Sequence, residues 1–526
     1  MVACLPGALL YIVRMRLLGL LKRNWQWLAA SSAIALIAVV VRLYDLDLKP
    51  LHQDEGVNGY FLTRLHNRGI YKYDPANFHG PTLYYAAAVS SYFFGLTTTA
   101  IRLVPALFGA GTVMLLLFLS RRVGAFGSLA AALLVAVSPG AVYISRYFIH
   151  ESLFVFAGIA ALVAALHYYD SGRPIYAMLG FAAFGVMCAT KETFTIAIGV
   201  FVIAVALTPV YLSLRNRLGD SSRQPPNTCL NRTIERLGGG GRIALALAGS
   251  LGVFVMVAAL FFSSFFTNPA WSGDVFKSLR FWTHAAATDH SHQYYTYLWW
   301  LIQEELPILV FGLAGAGLIL WSARTRFAVF MVLFTLGLIT AYSIIPYKTP
   351  WLTLSMIVPL AIMGGYGVNL LRERLSAPLI RGALLVLILI AVATSVYEMI
   401  VLNFVRYDDD RYPYVYAHTH RDINRLLDEV ARINRDAGSA DEPIAITSVE
   451  YWPLPWYFRS YSKVGYYSKV TPVREPMVVC SEDQEAELQA TLGGEYQRID
   501  SYILRPGLKL VLYAQRSSLE HRRAGF

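Results

Sequence analysis

Long apolar stretches alternate with short polar loops from the N-terminus to about residue 402. A helix needs about 18 or more apolar residues to cross a hydrocarbon core of roughly 30 Å. The pattern therefore predicts about eleven transmembrane helices, at residues 26–44, 101–120, 124–143, 152–169, 174–190, 193–213, 243–266, 306–321, 327–346, 352–371 and 382–402. Residues 1–25 are interpreted as an interfacial lead-in to the first span, because basic residues and no cleavage site follow their short apolar run.

The apolar segment 81–96 begins beside a proline and is short for a span. Lys and Arg in short loops stay on the cytoplasmic side of a membrane. If the N-terminus is inside and 81–96 does not cross, nearly every basic cluster falls on the inner side: Arg121 and Arg122, Arg173, the arginines between Arg215 and Arg242, Arg324 and Arg326, and Arg372, Arg374 and Arg381. We therefore predict that 81–96 is an interfacial or re-entrant helix on the outer face.

The pattern changes after residue 402. THRDINRLLDEVARINRD has the apolar period of a helix and DQEAELQATL is a second helix candidate, whereas IAITS, MVVCS and KLVLYAQ have the composition of strands. The chain thus divides into a transmembrane domain, 1–402, and a C-terminal soluble α/β domain, 403–526, which lies outside the cytoplasm in this topology.

Composition supports the membrane class. Hydrophobic residues make up 56% of the 526 residues and charged residues 15%, and the mean hydropathy is +0.47, far more apolar than a soluble domain. The net charge of +11 needs no nucleic-acid partner, because the inner loops account for most of it. The four cysteines show no paired spacing, so neither a disulfide framework nor a zinc site is predicted.

Ionisable residues are nearly missing from the centres of the predicted spans and collect at their outer ends, mainly in loops 45–100, 144–151, 191–192 and 267–305. In these loops they are Asp54, Glu55, His79, Arg146, His150, Glu151, Lys191, Glu192, Glu304 and Glu305, and Lys348 follows the predicted span 327–346. A trail of charges through the membrane marks a transport path, and this chain has none. The arrangement instead predicts a chemical site at the outer surface that is partly accessible from the lipid.

Each group also has a simpler interpretation. A single Arg146 or Lys191 at a helix end is typical of an interfacial anchor, and the pair Asp54 and Glu55 is compatible with a solvated loop. The tyrosines of HQYYTYLWW are compatible with an aromatic belt at the membrane surface. The histidine-rich THAAATDHSHQ matches no metal-binding spacing and is interpreted as a polar outer loop.

Taken in chain order, the motifs resemble the GT-C membrane glycosyltransferases, especially the protein O-mannosyltransferases and the lipid A aminoarabinose transferase. The acidic pair Asp54 and Glu55 follows the first span, HGPTLYY stands where those families have His-Pro-Pro or Lys-Pro-Pro, and a second outer loop carries Arg146 and Glu151. CATKETF resembles a threonine-lysine-glycine motif with Glu192 in place of the glycine, and SIIPYKTPWL resembles a later lysine-proline segment. HQDEGVNGYFLTRL, YKYDPANFHGP and VEYWPLPWYFRSY are most similar to a prokaryotic glycosyltransferase-like group named for its association with flippase activity.

The resemblance implies a polytopic α-helical GT-C fold in the cytoplasmic membrane. It also implies transfer of a sugar from a polyprenyl phosphate donor to an extracytoplasmic protein, lipid or glycan acceptor. In this interpretation Asp54 is the general base, and Glu55 and Glu151 are secondary acids that orient the acceptor or Asp54. The residues expected to bind the donor phosphate are His79, Arg146, Lys191 and Lys348. Those expected to line the substrate site are His150, Glu192, Tyr294 and Tyr295.

Alternatives remain at this point. A lipid-linked glycan flippase or a scaffold would hold the same headgroup without cutting it, and a catalytically inactive receptor would work through the C-terminal domain. No cofactor is expected, because the basic residues already supply positive charge for a phosphate. A divalent ion between Asp54 and Glu151 is the alternative.

The predicted topology can be tested by labelling. Cysteines introduced near Thr98 and Ser462 should react with a membrane-impermeant reagent added from outside, and a cysteine near Val123 should not, because it lies in an inner loop. Labelling of position 123 from outside would contradict the eleven-span topology.

Overall fold

The computed structural model describes residues 25–77, 79–218, 232–288, 292–322 and 325–520. The predicted lead-in before Trp25 and the middle of the Arg-rich inner loop 215–242 lie outside these residues. In chain order the helices of the transmembrane domain are α1 (Trp25–Leu43), α2 (Gln53–Arg68), α3 (Thr82–Phe94), α4 (Thr98–Leu117), α5 (Ser120–Val123), α6 (Ala125–Ala136), α7 (Pro139–Ser145), α8 (Glu151–Ser171), α9 (Pro174–Cys188), α10 (Phe194–Leu218), α11 (232–236), α12 (Gly240–Phe262), α13 (Trp271–Thr288), α14 (Thr296–Glu304), α15 (Leu306–Ser322), α16 (Arg326–Ile344), α17 (Leu354–Arg374) and α18 (Pro378–Ile400).

The predicted polytopic helical architecture is confirmed. Within the described residues, eight helices are long and apolar enough to cross a membrane, and the bent pairs α6–α7 and α14–α15 raise the number to ten. The shorter apolar helix α9 occupies the predicted span 174–190. Helix α3 has 13 residues and is therefore about 20 Å long, too short for a hydrocarbon core, as expected for a helix that does not cross.

The two bends contact each other. Helices α6 and α7 meet at 61° around Ser138 and Pro139, and α14 and α15 meet at 114° at Glu305. The Oε1 atom of Glu305 accepts hydrogen bonds of 2.7 Å from the Ser138 hydroxyl and from the Gly140 amide. Glu305, which the sequence placed among the outer acids, is therefore used to join the two bends.

The C-terminal domain is a five-stranded sheet with helices on both faces. Its elements are α19 (Ile423–Asp436), β1 (Ile444–Ile446), α20 (Leu454–Tyr457), β2 (Val464–Tyr466), β3 (Met477–Ser481), α21 (Glu485–Leu492), β4 (Tyr496–Arg505), β5 (Leu508–Gln515) and α22 (Arg516–Glu520). The strand order is β2-β1-β3-β5-β4, parallel from β2 to β3 and antiparallel from β3 to β4.

Alternation along the strands gives this sheet two buried faces. Ile444 and Ile446 of β1 pack with the apolar side of α19, whereas Ala445 between them packs with Leu488 of α21. The predicted helices and three predicted strands are confirmed. Strands β2 and β4 were not predicted: β2 is short and has a glycine at its centre, and half of the positions of β4 carry polar side chains.

The C-terminal domain packs directly against α2. A side chain at Gly56 would place its Cβ 2.6 Å from Cβ of Pro453, and one at Gly59 would place it 2.5 Å from the Trp456 ring. The Trp456 indole also donates a hydrogen bond of 3.2 Å to the Thr98 hydroxyl. The two glycines thus permit the segment WPLPWYF to lie on the helix that begins the outer loops.

We expect Gly59→Ala to lower stability, because the added methyl group must displace a fully buried tryptophan ring, and such overpacking costs about 1–3 kcal/mol. The melting midpoint in detergent should fall by several degrees. Gly199→Ala is the matched control, since Gly199 lies in α10 and no other atom comes within 4 Å of the place that its methyl group would occupy. Equal midpoints for Gly59→Ala and wild type would contradict the packing.

Candidate active site

The candidate site is organised by the start of helix α2. His52 is its N-cap: the Asp54 amide donates to Nδ1 of His52 at 3.0 Å, and the His52 amide donates to Oε2 of Glu55 at 3.0 Å. Such a reciprocal cap satisfies amides that a helix start otherwise leaves without partners. It fixes the direction in which Asp54 leaves the helix.

Glu55 continues from this cap into a buried ion pair. Its two carboxylate oxygens accept bonds of 2.7 and 2.6 Å from Nε and Nη2 of Arg102, and Oε1 accepts a third bond of 2.8 Å from the Phe148 amide. Both side chains are fully buried. Burial would raise the pKa of Glu55, but the charge and hydrogen bonds of Arg102 hold it below its ordinary value.

The segment His79-Gly80-Pro81 docks on the loop that follows α9. The Gly80 amide donates to the Thr190 carbonyl at 3.1 Å, and a side chain at Gly80 would place its Cβ 1.9 Å from the Ala189 carbonyl oxygen. The Thr82 and Thr190 hydroxyls share a further bond of 2.7 Å. Only glycine allows this approach, which brings His79 to the residues after Thr190.

These elements enclose a cavity of about 220 Å³ at one end of the membrane helices. We call it the main cavity. Six of the residues predicted from the sequence line it: Asp54, His79, His150, Glu151, Lys191 and Glu192. Its volume is below the roughly 300–1,000 Å³ of sites for drug-sized ligands, so it suits a small polar group such as a sugar or a phosphate.

Two of the three acids in the main cavity are paired. Lys191 donates to Oε1 of Glu151, and both side chains are nearly fully buried. His79 Nδ1 lies 2.8 Å from Oε2 of Glu192, and its ring lies 4.8 Å from the ring of His150.

The pKa values in this cluster follow from its pairing. Burial would raise the pKa of Glu192, but the charge and hydrogen bond of His79 and the charge of Lys191 keep it lowered, so Glu192 is ionised. Burial, together with the charges of His79 and Lys191, holds the pKa of His150 well below its usual range. His150 is therefore neutral at pH 7.

Asp54 differs from the other two acids. Its side chain is 37% exposed, and its nearest basic atom in the described part of the chain is Nδ1 of His52 at 3.9 Å. That nitrogen already accepts the Asp54 amide, so it carries no proton for the carboxylate. Asp54 is thus the acid of the main cavity that lacks a close cation among the described residues.

Five other predicted residues lie outside the main cavity. Arg146 donates to backbone carbonyls at the end of α1, including that of Asp45 at 2.7 Å, and Lys348 donates to the Ile345 carbonyl at 2.6 Å. Glu55 is held by Arg102, as described above. Tyr294 and Tyr295 are exposed, as in the aromatic-belt interpretation. The structure thus does not group these five with the acids of the cavity.

Sequence reasoning missed the aromatic walls. The Tyr342, Tyr347, Trp351 and Trp282 side chains line the main cavity together with Asn58. Tyr347 and Trp351 flank the lysine of the SIIPYKTPWL motif, so that motif contributes its aromatic residues and not its lysine. In the described ranges no group of three His, Cys, Asp or Glu side chains is arranged to hold a metal ion.

Solved structures identify the architecture. ArnT from Cupriavidus metallidurans in the apo state superposes with a TM-score of 0.64 at 18% identity, over 94% of this chain and 99% of that chain. The same protein bound to undecaprenyl phosphate gives a TM-score of 0.57 at 18% identity over the same shares. The chain has the GT-C glycosyltransferase fold. An Archaeoglobus fulgidus oligosaccharyltransferase shares this fold with a TM-score of 0.53 at 13% identity, over 85% of this chain and 64% of that chain.

Sequence comparisons point to the same GT-C group. The dolichyl-phosphate-mannose-protein mannosyltransferase family model matches residues 78–219, which include every predicted lining residue of the main cavity except Asp54. A Bacillus subtilis (strain 168) relative named "Putative mannosyltransferase YycA" is 25% identical over 202 residues, 35% of this chain and 29% of the relative. The match therefore spans less than a third of that relative, and the narrower flippase-associated grouping stays a prediction.

We expect Glu55→Gln to destabilise the protein by about 3–5 kcal/mol at pH 7, because it leaves the buried charge of Arg102 without its partner. Glu55 has a lowered pKa in the folded protein, so its stabilising effect is present above the ordinary pKa of a glutamate and is lost as the pH falls through the lowered value. The gap between wild type and Glu55→Gln should therefore narrow in acid.

Chemical denaturation at pH 7 and at stepwise lower pH measures this gap. Glu495→Gln, at an exposed glutamate of the C-terminal domain, is the control and should leave stability unchanged. A gap that is small at pH 7, or that widens in acid, would contradict the role given to Glu55.

Proposed function

We propose that this multi-pass membrane protein is a glycosyltransferase that moves a sugar from a polyprenyl phosphate donor to an acceptor outside the cytoplasm. The observation that carries the proposal is the division of charge in the main cavity: Glu151 and Glu192 are each paired with a basic side chain, whereas Asp54 has no close cation among the described residues. A carboxylate without a close cation is suited to accept a proton, and the basic side chains beside it are suited to an anionic leaving group.

Asp54 acts as the general base in this proposal. A hydroxyl of the acceptor would donate to the Asp54 carboxylate and lose its proton as it attacks the anomeric carbon of the sugar. The bond from that carbon to the phosphate oxygen breaks with its electron pair, and polyprenyl phosphate leaves. The partial exposure of Asp54 at the mouth of the cavity leaves room for a bulky acceptor.

Lys191 and His79 would bind the leaving phosphate. The Lys191 ammonium has three donors, one of which bonds to Glu151, so that Glu151 orients the ammonium and the other donors are available to a phosphate. The neutral ring of His150 beside His79 would donate or accept at a hydroxyl of the sugar. Undecaprenyl phosphate binds the similarly folded ArnT named above, which supports a polyprenyl phosphate lipid here.

The aromatic walls are placed to accept the lipid side of the donor. Tyr342 lies near the end of α16 and Ile196 belongs to α10, two helices of the membrane domain, so the main cavity adjoins the membrane helices. We place the active site and the C-terminal domain on the extracytoplasmic face of the cytoplasmic membrane, in agreement with the one-sided basic loops. The sequence-based assignment of Arg146 and Lys348 to the phosphate is not part of this proposal.

Asp54→Asn tests the base directly. The substitution keeps the shape of the side chain, so donor binding should persist, while turnover should fall by about 10² to 10⁴, the usual contribution of general base catalysis. Release of polyprenyl phosphate from a polyprenyl phosphate sugar, with a cell extract as the source of acceptor, measures turnover. Asp47→Asn is the control, because Asp47 is an exposed acid of the same loop, bonded to the Thr99 hydroxyl. Full turnover by Asp54→Asn would exclude Asp54 as the base and favour a protein that binds the glycolipid without cutting it.

A further inference from the structure

His52 connects the C-terminal domain to Asp54. Its side chain is fully buried, and its ring lies 5.1 Å from that of Tyr147, 5.9 Å from that of Trp351 and 5.7 Å from that of His418. His418 belongs to the C-terminal domain, and Tyr147 lies in the loop between α7 and α8 that leads to His150 and Glu151. His52 thus lies where three parts of the chain meet behind the main cavity.

The hydrogen bonds of His52 fix its protonation. Nδ1 is 3.0 Å from the Asp54 amide nitrogen, and Nε2 is 3.0 Å from the Tyr416 carbonyl oxygen. An amide N–H can only donate and a carbonyl can only accept. His52 is therefore neutral with its proton on Nε2, in agreement with burial, which lowers its pKa. One imidazole ring thereby joins a carbonyl of the C-terminal domain to the backbone of Asp54.

Other contacts of the C-terminal domain involve the first turn of α2 and the residue Leu51 just before it. The Tyr457 hydroxyl accepts a bond of 2.8 Å from the Leu51 amide, Arg505 donates to Gln53, and Pro453 covers Gly56. The opposite side of α2 presents Asp54, Val57 and Asn58 to the main cavity. A shift of the C-terminal domain would therefore be passed to Asp54 through one short helix start.

The Tyr416 carbonyl is held by a special backbone conformation. Ala417 has a φ of +49°, in the left-handed region that a β-branched residue adopts only at considerable cost. This conformation sets the plane of the Tyr416–Ala417 peptide and hence the direction of the carbonyl. Ala417 itself does not line the main cavity.

We propose that the C-terminal domain is a positioning element of the active site, in which the Tyr416 carbonyl acts through His52 to set the position of Asp54. The inference rests on the proposed role of Asp54 as the base. His52 is a positioning residue and not a catalytic one, since it reaches the reaction only through the Asp54 backbone. The domain is thus required for turnover even though none of its described side chains lines the main cavity.

Ala417→Val and Ala417→Gly form a matched pair for the test, made in the full-length protein in nanodiscs. Valine disfavours the left-handed conformation and should rotate the carbonyl away from His52, whereas glycine keeps it. Amide hydrogen exchange of the peptide covering residues 51–58 should be about tenfold faster in Ala417→Val than in wild type and unchanged in Ala417→Gly. This measurement needs no substrate. It therefore tests whether the C-terminal domain holds the start of α2 even if the transferase proposal fails.

Turnover is the second readout. With undecaprenyl phosphate mannose as the donor probe, Ala417→Val should lower kcat about 10- to 100-fold with little change in KM, because a displaced base slows chemistry more than binding. His52→Asn separates positioning from capping: asparagine is a good N-cap but is too short to reach the Tyr416 carbonyl. Because it also removes a buried ring, its melting midpoint should fall by a few degrees, but at temperatures well below that midpoint the folded protein should still lose kcat.

The outcomes divide clearly. Faster exchange at 51–58 with lowered kcat in Ala417→Val, together with lowered kcat of folded His52→Asn well below its melting midpoint, supports the proposal. Unchanged exchange in Ala417→Val, or full kcat in His52→Asn, overturns it. If wild type does not turn over the probe, the transferase assignment fails separately and the exchange result alone decides whether the C-terminal domain holds α2.

Discussion

The buried ion pair between Glu55 and Arg102 is the interaction on which the candidate site depends. Arg102 lies in a membrane helix and also donates to the carbonyls of Leu46, Lys49 and Pro50, so it holds the turn that leaves the first span. Glu55 accepts from that arginine, from the cap of α2 and from the Phe148 amide. One carboxylate thus fixes the helix of Asp54 relative to the loop of His150 and Glu151.

This arrangement assigns different tasks to adjacent acids. Glu55 is fully buried and structural, whereas Asp54 reaches the main cavity and is left without a close cation among the described residues. The basic residues differ in the same way. Arg146 donates its hydrogen bonds to carbonyls at the end of α1, whereas Lys191 lies in the cavity beside Glu151. Under the proposed chemistry, a base and a phosphate site can coexist in a small cavity because the remaining acids are neutralised by their partners.

Much of this architecture was predictable from the sequence. Apolar length indicated the spans, the one-sided arginines supported the topology hypothesis, and the apolar period of INRLLDEVARINRD predicted α19. The main cavity was predictable only in part. Charge and chain order predict Arg146 and Lys348 on the same side as Lys191. They do not reveal which of these side chains donates its hydrogen bonds to backbone carbonyls instead of facing the cavity. Likewise, the adjacent pair Asp54 and Glu55 does not indicate which of the two acids forms an ion pair with the buried Arg102, 47 positions after Glu55. That depends on how the helices pack in three dimensions.

The most direct test of the central claim is a structure of the protein with undecaprenyl phosphate bound, determined in nanodiscs by electron cryomicroscopy. The account predicts that the phosphate lies in the main cavity, within hydrogen-bond distance of Lys191 or His79 and facing the Asp54 carboxylate, with the lipid chain leaving along the aromatic wall near Tyr342. A phosphate held by Arg146 or Lys348, with no lipid headgroup in the main cavity, would contradict it.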